Sequence, residues 1–316
     1  MIIIRPTAVP PYETTNTDAV LTSSNVPETA AGEPEYDSAT TYSTGDVVSV
    51  LGSVQRRYES LIDSNAGNFP PDSPDQWLDL GPTNRWRMFD GGTGTLTTQS
   101  DNIEVVLEPE GLVNGMTFFN VDASDIRIQV RDSSDTLVYD KTATFLLQTS
   151  SSNWYSYFFE TFGSQFRDSV VLDIPPVVAP KITVTISRPG ESTSCGLLLI
   201  GRQQTLGQTI YGSSVGIRDF SIKETDEFGN PTVVQRTFVK RAELDIIVNT
   251  PDVSRIQRIL ADRRAKPTVY IGSPDAALFA EEPIHEETLV YGYYVDFDIV
   301  LSDKRTSRAT LEVEGL

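Results

Sequence analysis

The pentapeptide Gly212-Ser213-Ser214-Val215-Gly216 matches the G-x-S-x-G pattern, in which a strained turn between a strand and a helix presents a nucleophilic serine. The residues that follow, Ile217-Arg218-Asp219-Phe220-Ser221-Ile222, alternate like a strand and start no helix, so a turn between two strands is expected there instead. The one histidine, His285, could act as a base only from the acidic stretch Glu281-Glu282-Pro283-Ile284-His285-Glu286-Glu287, which reads as a solvated loop. Gly91-Gly92-Thr93-Gly94 has the glycines of a phosphate cradle but neither the Lys-Ser/Thr pair nor the helix that would complete one. Asp122/Asp125, Asp132/Asp135 and Asp296/Asp298/Asp303 offer oxygen ligands for a hard cation, but none has calcium-loop spacing, so they read as solvated turns. No catalytic residue, metal site or cofactor is expected, and the chain reads as a non-enzyme.

A second set of residues could bind without reacting. Tyr42, Tyr58 and Trp77 fall on separate strands or turns of a segment of about fifty residues, which is small for burying all three rings. Exposed together, their flat faces would stack on the apolar face of a sugar ring; buried together, they would be the segment's miniature core. The residues alone leave both readings open.

Composition narrows the field further. The chain has 316 residues with 44 acidic against 25 basic side chains, a formal net charge of −19. Such a surface argues against binding nucleic acid or anionic membrane, both of which require a dense cationic face. A single cysteine, Cys195, rules out an intrachain disulfide and any cysteine-based metal cluster, and a single histidine removes every multi-histidine site. The apolar run in Met1-Ile2-Ile3-Ile4-Arg5-Pro6 is shorter than the core of a secretion signal, and no run approaches a membrane span. Synthesis in a cytoplasm without membrane insertion is the expectation.

The elements that would position these residues are mainly β. Residues 1–34, with a strand-like Ile2-Ile3-Ile4 followed by scattered prolines, read as an extended arm that pairs with another domain or another subunit. Residues 35–82 read as a small β module punctuated by Gly45, Gly67 and Pro70-Pro71. In residues 83–201 the alternating runs Ile103–Leu107, Ile126–Val130 and Ile182–Ile186, separated by turn signals, predict an antiparallel β-sandwich or jelly roll. Residues 202–316 predict an α+β domain with strands near Val215–Ile222, Val233–Val248, Thr268–Ile271, Leu289–Leu301 and Ala309–Val313. Its one main helix follows Thr250-Pro251-Asp252, read as N-cap and first turn, with Val253, Ile256, Ile259 and Leu260 on one face and Pro267 beyond its end.

Two resemblances attach to these residues. The order Tyr36, Tyr42-x-x-Gly45-Asp46-x-Val48, Tyr58, Asn68, Pro70 and Trp77 is similar to small chitin-binding modules of carbohydrate-binding family 5/12. That resemblance implies a sugar platform formed by Tyr42 and Trp77, although Tyr36-Asp37 stands where the family has a tryptophan. Nearly the whole chain resembles virion proteins of tailed bacteriophages and prophages, through Asn84-Arg85-Trp86-Arg87-Met88-Phe89-Asp90, Leu206-Gly207-Gln208-Thr209-Ile210-Tyr211-Gly212, Gly216–Ser221 and Asp226-Glu227-Phe228-Gly229-Asn230. It implies a structural component of the tail tip or baseplate, a homo-oligomer contacting other tail proteins. With the small module, a host-surface glycan becomes a candidate partner. The alternatives are a purely architectural tail scaffold without glycan binding and a hydrolase of envelope polysaccharide, the latter disfavoured by the single histidine and the missing nucleophile motif. The virion resemblance also implies synthesis in the host cytoplasm and residence in the virion.

Overall fold

In the computed structural model of the chain, residues 1–9, 19–29, 33–52, 54–144, 167–225, 227–229, 231–273 and 286–316 are described. The architecture is mainly β, with antiparallel sheets and one main helix near the C-terminus. Two compact units divide it, one made of Met1–Pro6, Ser169–Leu172 and Gly201–Leu316 and the other of Thr7–Asp168 and Asp173–Ile200.

The second unit holds the β-sandwich strands and the small module. Strand Asp125–Arg131 lies between Leu137–Thr144 and the first part of Lys181–Thr205, and the far side of that long strand pairs with Thr97–Pro109. Strand Ala19–Ser24 pairs along Thr97–Pro109 in turn. The alternation is realised literally: Ile103, Val105, Leu107, Ile126, Ile128, Val130, Ile182, Val184 and Ile186 are fully buried, while residues between them, such as Glu104 and Arg127, face solvent. Each buried aliphatic of this kind contributes roughly 1.5–3 kcal/mol relative to exposure, which makes the register hard to slip.

The small module is a three-stranded sheet, Val47–Val50, Arg56–Ser60 and Trp77–Pro82, beside a two-stranded pair, Thr41–Tyr42 with Asn65–Ala66. Gly45 sits at φ +89°, a conformation that favours glycine, and lets the chain reverse before Val47. The Asp46 carboxylate accepts the Ser43 amide at 2.7 Å and closes that turn.

In the first unit an antiparallel sheet runs in the order Ile2–Thr7, Thr268–Ile271, Leu289–Val300, Thr306–Gly315 and Phe238–Asn249, with Ser214–Asp219 and Gln208–Thr209 sharing the last edge. The Ile2-Ile3-Ile4 start of the expected arm is thus a strand of its own chain, with Ile3 opposite Tyr270. The helix Val253–Asp262 packs Ile256 and Leu260 onto Leu244, Ile246, Leu311 and Val313, as its apolar period predicts. Its entry differs from the sequence expectation. Thr250–Asp252 forms a 3-10 turn, and the Thr250 hydroxyl donates to the Asp303 carbonyl at 2.9 Å rather than capping helical amides. The stretch read as one strand, Val233–Val248, is divided. Pro231–Val234 pairs with Ile222–Thr225 as a separate hairpin, and the sheet strand begins only at Phe238, after the polar Gln235-Arg236-Thr237.

Candidate functional site

The small module is built around its aromatic rings. Tyr42, Tyr58 and Trp77 are 6%, 6% and 2% exposed and form its core together with Val48 and Val50. Trp77 meets Tyr42 edge to face at 5.3 Å between centroids, and Tyr36 stacks on Tyr42 at 5.8 Å with 25° between the planes. Polar tips are satisfied inward: the Trp77 indole N–H donates to the Asn68 carbonyl at 3.0 Å, and the Tyr42 hydroxyl accepts the Asp37 amide at 2.8 Å. Burial, followed by the nearby Asp79 carboxylate, raises the Tyr58 phenol above its ordinary pKa, with Arg56 opposing.

The rings with outward surface are different ones. Phe69 is 41% exposed and meets the half-buried Tyr36 edge-on at 5.8 Å. Burial, then Tyr42 and Asp37, raise the Tyr36 phenol. Sequence reasoning passed over Phe69, whose signal was an aromatic directly before Pro70-Pro71, where the 3-10 turn Pro70–Asp72 fixes the backbone beside it.

A second site lies in the first unit, on a sheet that its helix covers only in part. Strands directly opposite share a face, so Val215 beside Ala242 and Ile217 beside Lys240 lie on the same side as the helix-packed Leu244 and Ile246. Val215, Ile217 and Phe238 are nevertheless 45%, 64% and 59% exposed. The reason is width: six strands span about 24 Å, whereas one helix is about 10–12 Å across. The other flank of the helix opens into a groove of about 410 Å³ lined by Val253, Leu260, Arg264, Tyr294, Phe297 and Leu301. The hairpin Ile222–Val234 is also uncovered, with Val233 62% and Val234 48% exposed. The opposite sheet face is cross-linked by Arg241 to Glu312 at 2.5 Å and Arg218 to Glu314 at 3.0 Å and also exposes Ile247.

The chemistry candidates are dispersed. Ser214 opens an exposed strand opposite Glu243, and the Ser213 hydroxyl donates to the Ile210 carbonyl and accepts the Asp245 amide. Asp90 closes the Gly91–Gly94 loop by accepting the Gly92 amide at 2.7 Å. Asp132 caps its own turn through the Ser134 and Thr136 amides, Asp303 does the same for Arg305 and Thr306, and Asp122 pairs with Arg188. Among the described residues no group of three or more metal-ligating side chains converges, and no helix is long and apolar enough to cross a membrane. His285 lies outside the described residues.

No protein-family model matches the chain, and no curated protein does. Among solved structures the chain is similar to a chitosan-binding module of a chitosanase/glucanase from Paenibacillus sp. IK-5, at 16% identity and TM-score 0.26, over 37% of this chain and 84% of that one. It is similar to the lectin binding domain of Lectinolysin, solved with Lewis b, at 12% identity and TM-score 0.27, over 37% and 82%. An F5/8 type C domain from Bacteroides fragilis is similar at 14% identity and TM-score 0.28, over 38% and 82%. At TM-scores of this size the three likenesses carry no argument about the chain.

Proposed function

We propose that the chain is a structural protein of a tailed-bacteriophage virion, at the tail tip or baseplate, which works by assembling with copies of itself and with other tail proteins and breaks no bond. The observation that supports assembly is the first unit's uncovered sheet: Val215, Ile217 and Phe238 continue the helix-packed face into solvent, and the adjoining hairpin leaves Val233 and Val234 uncovered. A monomer seldom leaves such a face open, and subunit contacts are the usual reason for one. The tail position rests on the resemblance carried by Asn84–Asp90 and Leu206–Ser221. Light scattering behind size exclusion tests the reading. A discrete mass of several subunits supports it, and a monomer at every concentration overturns it.

A second role, glycan contact by the small module, is favoured by the Tyr36–Phe69 pair, with Phe69 exposed and Tyr36 half-buried, while Tyr42 and Trp77 pack against Tyr36. Retention on a chitin column that is lost in Phe69→Ala, with unchanged melting, supports this role. Equal elution of both proteins in the void volume ends it.

A further inference from the structure

The assembly reading leaves open which surfaces meet, and the sheet of the first unit offers one at its edge. Strand Ser214–Asp219 pairs with Phe238–Asn249 on one side and, among the described residues, with no strand on the other. All six of its residues are exposed. Strands Phe238–Asn249, Thr306–Gly315, Leu289–Val300 and Thr268–Ile271 each have partners on both sides, so the sheet of this unit ends here. One contact fixes where the main-chain groups of the edge point. The Phe220 amide donates to the Thr237 carbonyl at 3.2 Å, which continues the register that sets Ser214 opposite Glu243. Bonded and non-bonded positions alternate along an antiparallel pair. Ser214, Gly216 and Arg218 therefore bond inward to Phe238–Asn249, and Val215, Ile217 and Asp219 turn their N–H and C=O groups outward. Native edges are commonly blunted by lysine, proline or a bulge. Ser214–Ile217 has no charge and no proline, and its pairing with Phe238–Asn249 runs without a register shift.

This edge is its own complement. When a second copy is laid antiparallel along it about Gly216, each Val215 comes opposite the other copy's Ile217, so the outward-turned groups meet as hydrogen-bonded pairs. The same register keeps both copies' Val215 and Ile217 on the helix-packed face, where they are 45% and 64% exposed in the single chain. Gly216 meets its own counterpart at a non-bonded position, where two strands approach most closely, and nothing lies within 4 Å of a Cβ added there. Arg218, bound to Glu314 of its own chain, comes opposite Ser214, so no like charges face each other. Moving the register by two residues sets Val215 against Asp219 in one direction and Ile217 against Ser213 in the other. The apolar match thus selects one alignment, and the strand that satisfies it is a second Ser214–Asp219.

We infer that two copies of the chain join their Ser214–Asp219 edges antiparallel about Gly216, extending one sheet across a two-fold axis. This rests on the assembly reading and deepens it. Because the same surface meets itself, the contact closes at two copies.

The test uses the full chain, with the buried Cys195 retained and the parent as control. Gly216→Cys puts a thiol directly opposite its counterpart, whereas Ser214→Cys, opposite Arg218, sits about 13 Å along the strands from its own. Under diamide, Gly216→Cys should form a linked dimer about tenfold faster than Ser214→Cys, and Ser214→Cys mixed with Arg218→Cys should link faster than either alone. Val215→Pro removes an outward N–H and none that bonds Phe238–Asn249, so the sheet of the single chain is kept. By light scattering its self-association should weaken about tenfold or more. Ile217→Lys, which sets two ammonium groups on diagonal positions, should do the same. Equal linking rates for Gly216→Cys and Ser214→Cys, with multimers that persist in Val215→Pro and Ile217→Lys, overturn the edge pairing and leave the assembly reading standing. A wild-type chain that is monomeric at every concentration overturns both. If a proline or lysine variant unfolds by circular dichroism, the ratio of linking rates decides alone.

Discussion

Trp77 donates its indole N–H to the main-chain carbonyl of Asn68 at 3.0 Å, so a ring that could have faced a ligand is instead tied to the loop behind it. Removing it opens a cavity and leaves that carbonyl unpaired. Trp77→Ala is expected to cost about 3–5 kcal/mol, seen as loss of the module's cooperative unfolding by near-UV circular dichroism. Phe69→Ala, at the surface, should stay within about 0.5 kcal/mol of wild type. A Trp77→Ala protein as stable as the parent would show that the rings are not the core.

Gly292 tests the first unit's sheet. A Cβ there would sit 2.0 Å from the Glu314 carbonyl oxygen and 2.7 Å from the Gly315 Cα, inside the pairing of Leu289–Val300 with Thr306–Gly315. Gly292→Ala should therefore cost about 3 kcal/mol in urea unfolding. Gly216→Ala is the control, since nothing lies within 4 Å of its added carbon, and equal effects at the two positions would refute the packing argument.

Cys195 is fully buried, and burial pushes its thiol up to about 12, with the Leu197 amide opposing. At neutral pH the native chain should resist maleimide and react at once in denaturant. The slow native rate then measures opening of the second unit, and rapid labelling without denaturant would contradict the burial.

Asp219 titrates at the root of the hairpin. Its carboxylate is held well below the usual range by the Ser221 hydroxyl and amide, and then by Lys223 at 2.9 Å. A depressed folded value means that the contribution to stability is present above the unfolded value of about 4 and is lost as pH falls below it. Carboxyl carbon NMR should show Asp219 titrating at lower pH than most aspartates, and Ser221→Ala should move it back toward them. A midpoint near 4 in the parent would remove this anchor.

Much of the architecture could be read in advance wherever burial is periodic. Ile103–Leu107 and Val253–Leu260 declare their elements because one face is apolar at a period of two or of about three and a half. The position of Tyr42 and Trp77 could be read, but not the direction of their rings, since a module this small satisfies the same spacing with rings inward or outward. Ile2-Ile3-Ile4 announced a strand, yet its partner near Tyr270 depends on tertiary register, which leaves no local mark. The break between Val234 and Phe238 was hidden because three polar residues also fit an exposed strand.

The pairing of Ile3 with Tyr270 also sets an order of events during synthesis. The second unit's residues emerge from the ribosome between the two ends of the first. They can fold while Ile2–Ile4 still lacks its later neighbour, and the first unit closes only after Thr268–Ile271 appears. Until then a short apolar edge is held open on the nascent chain, which makes premature pairing between neighbouring nascent chains the step most exposed to error.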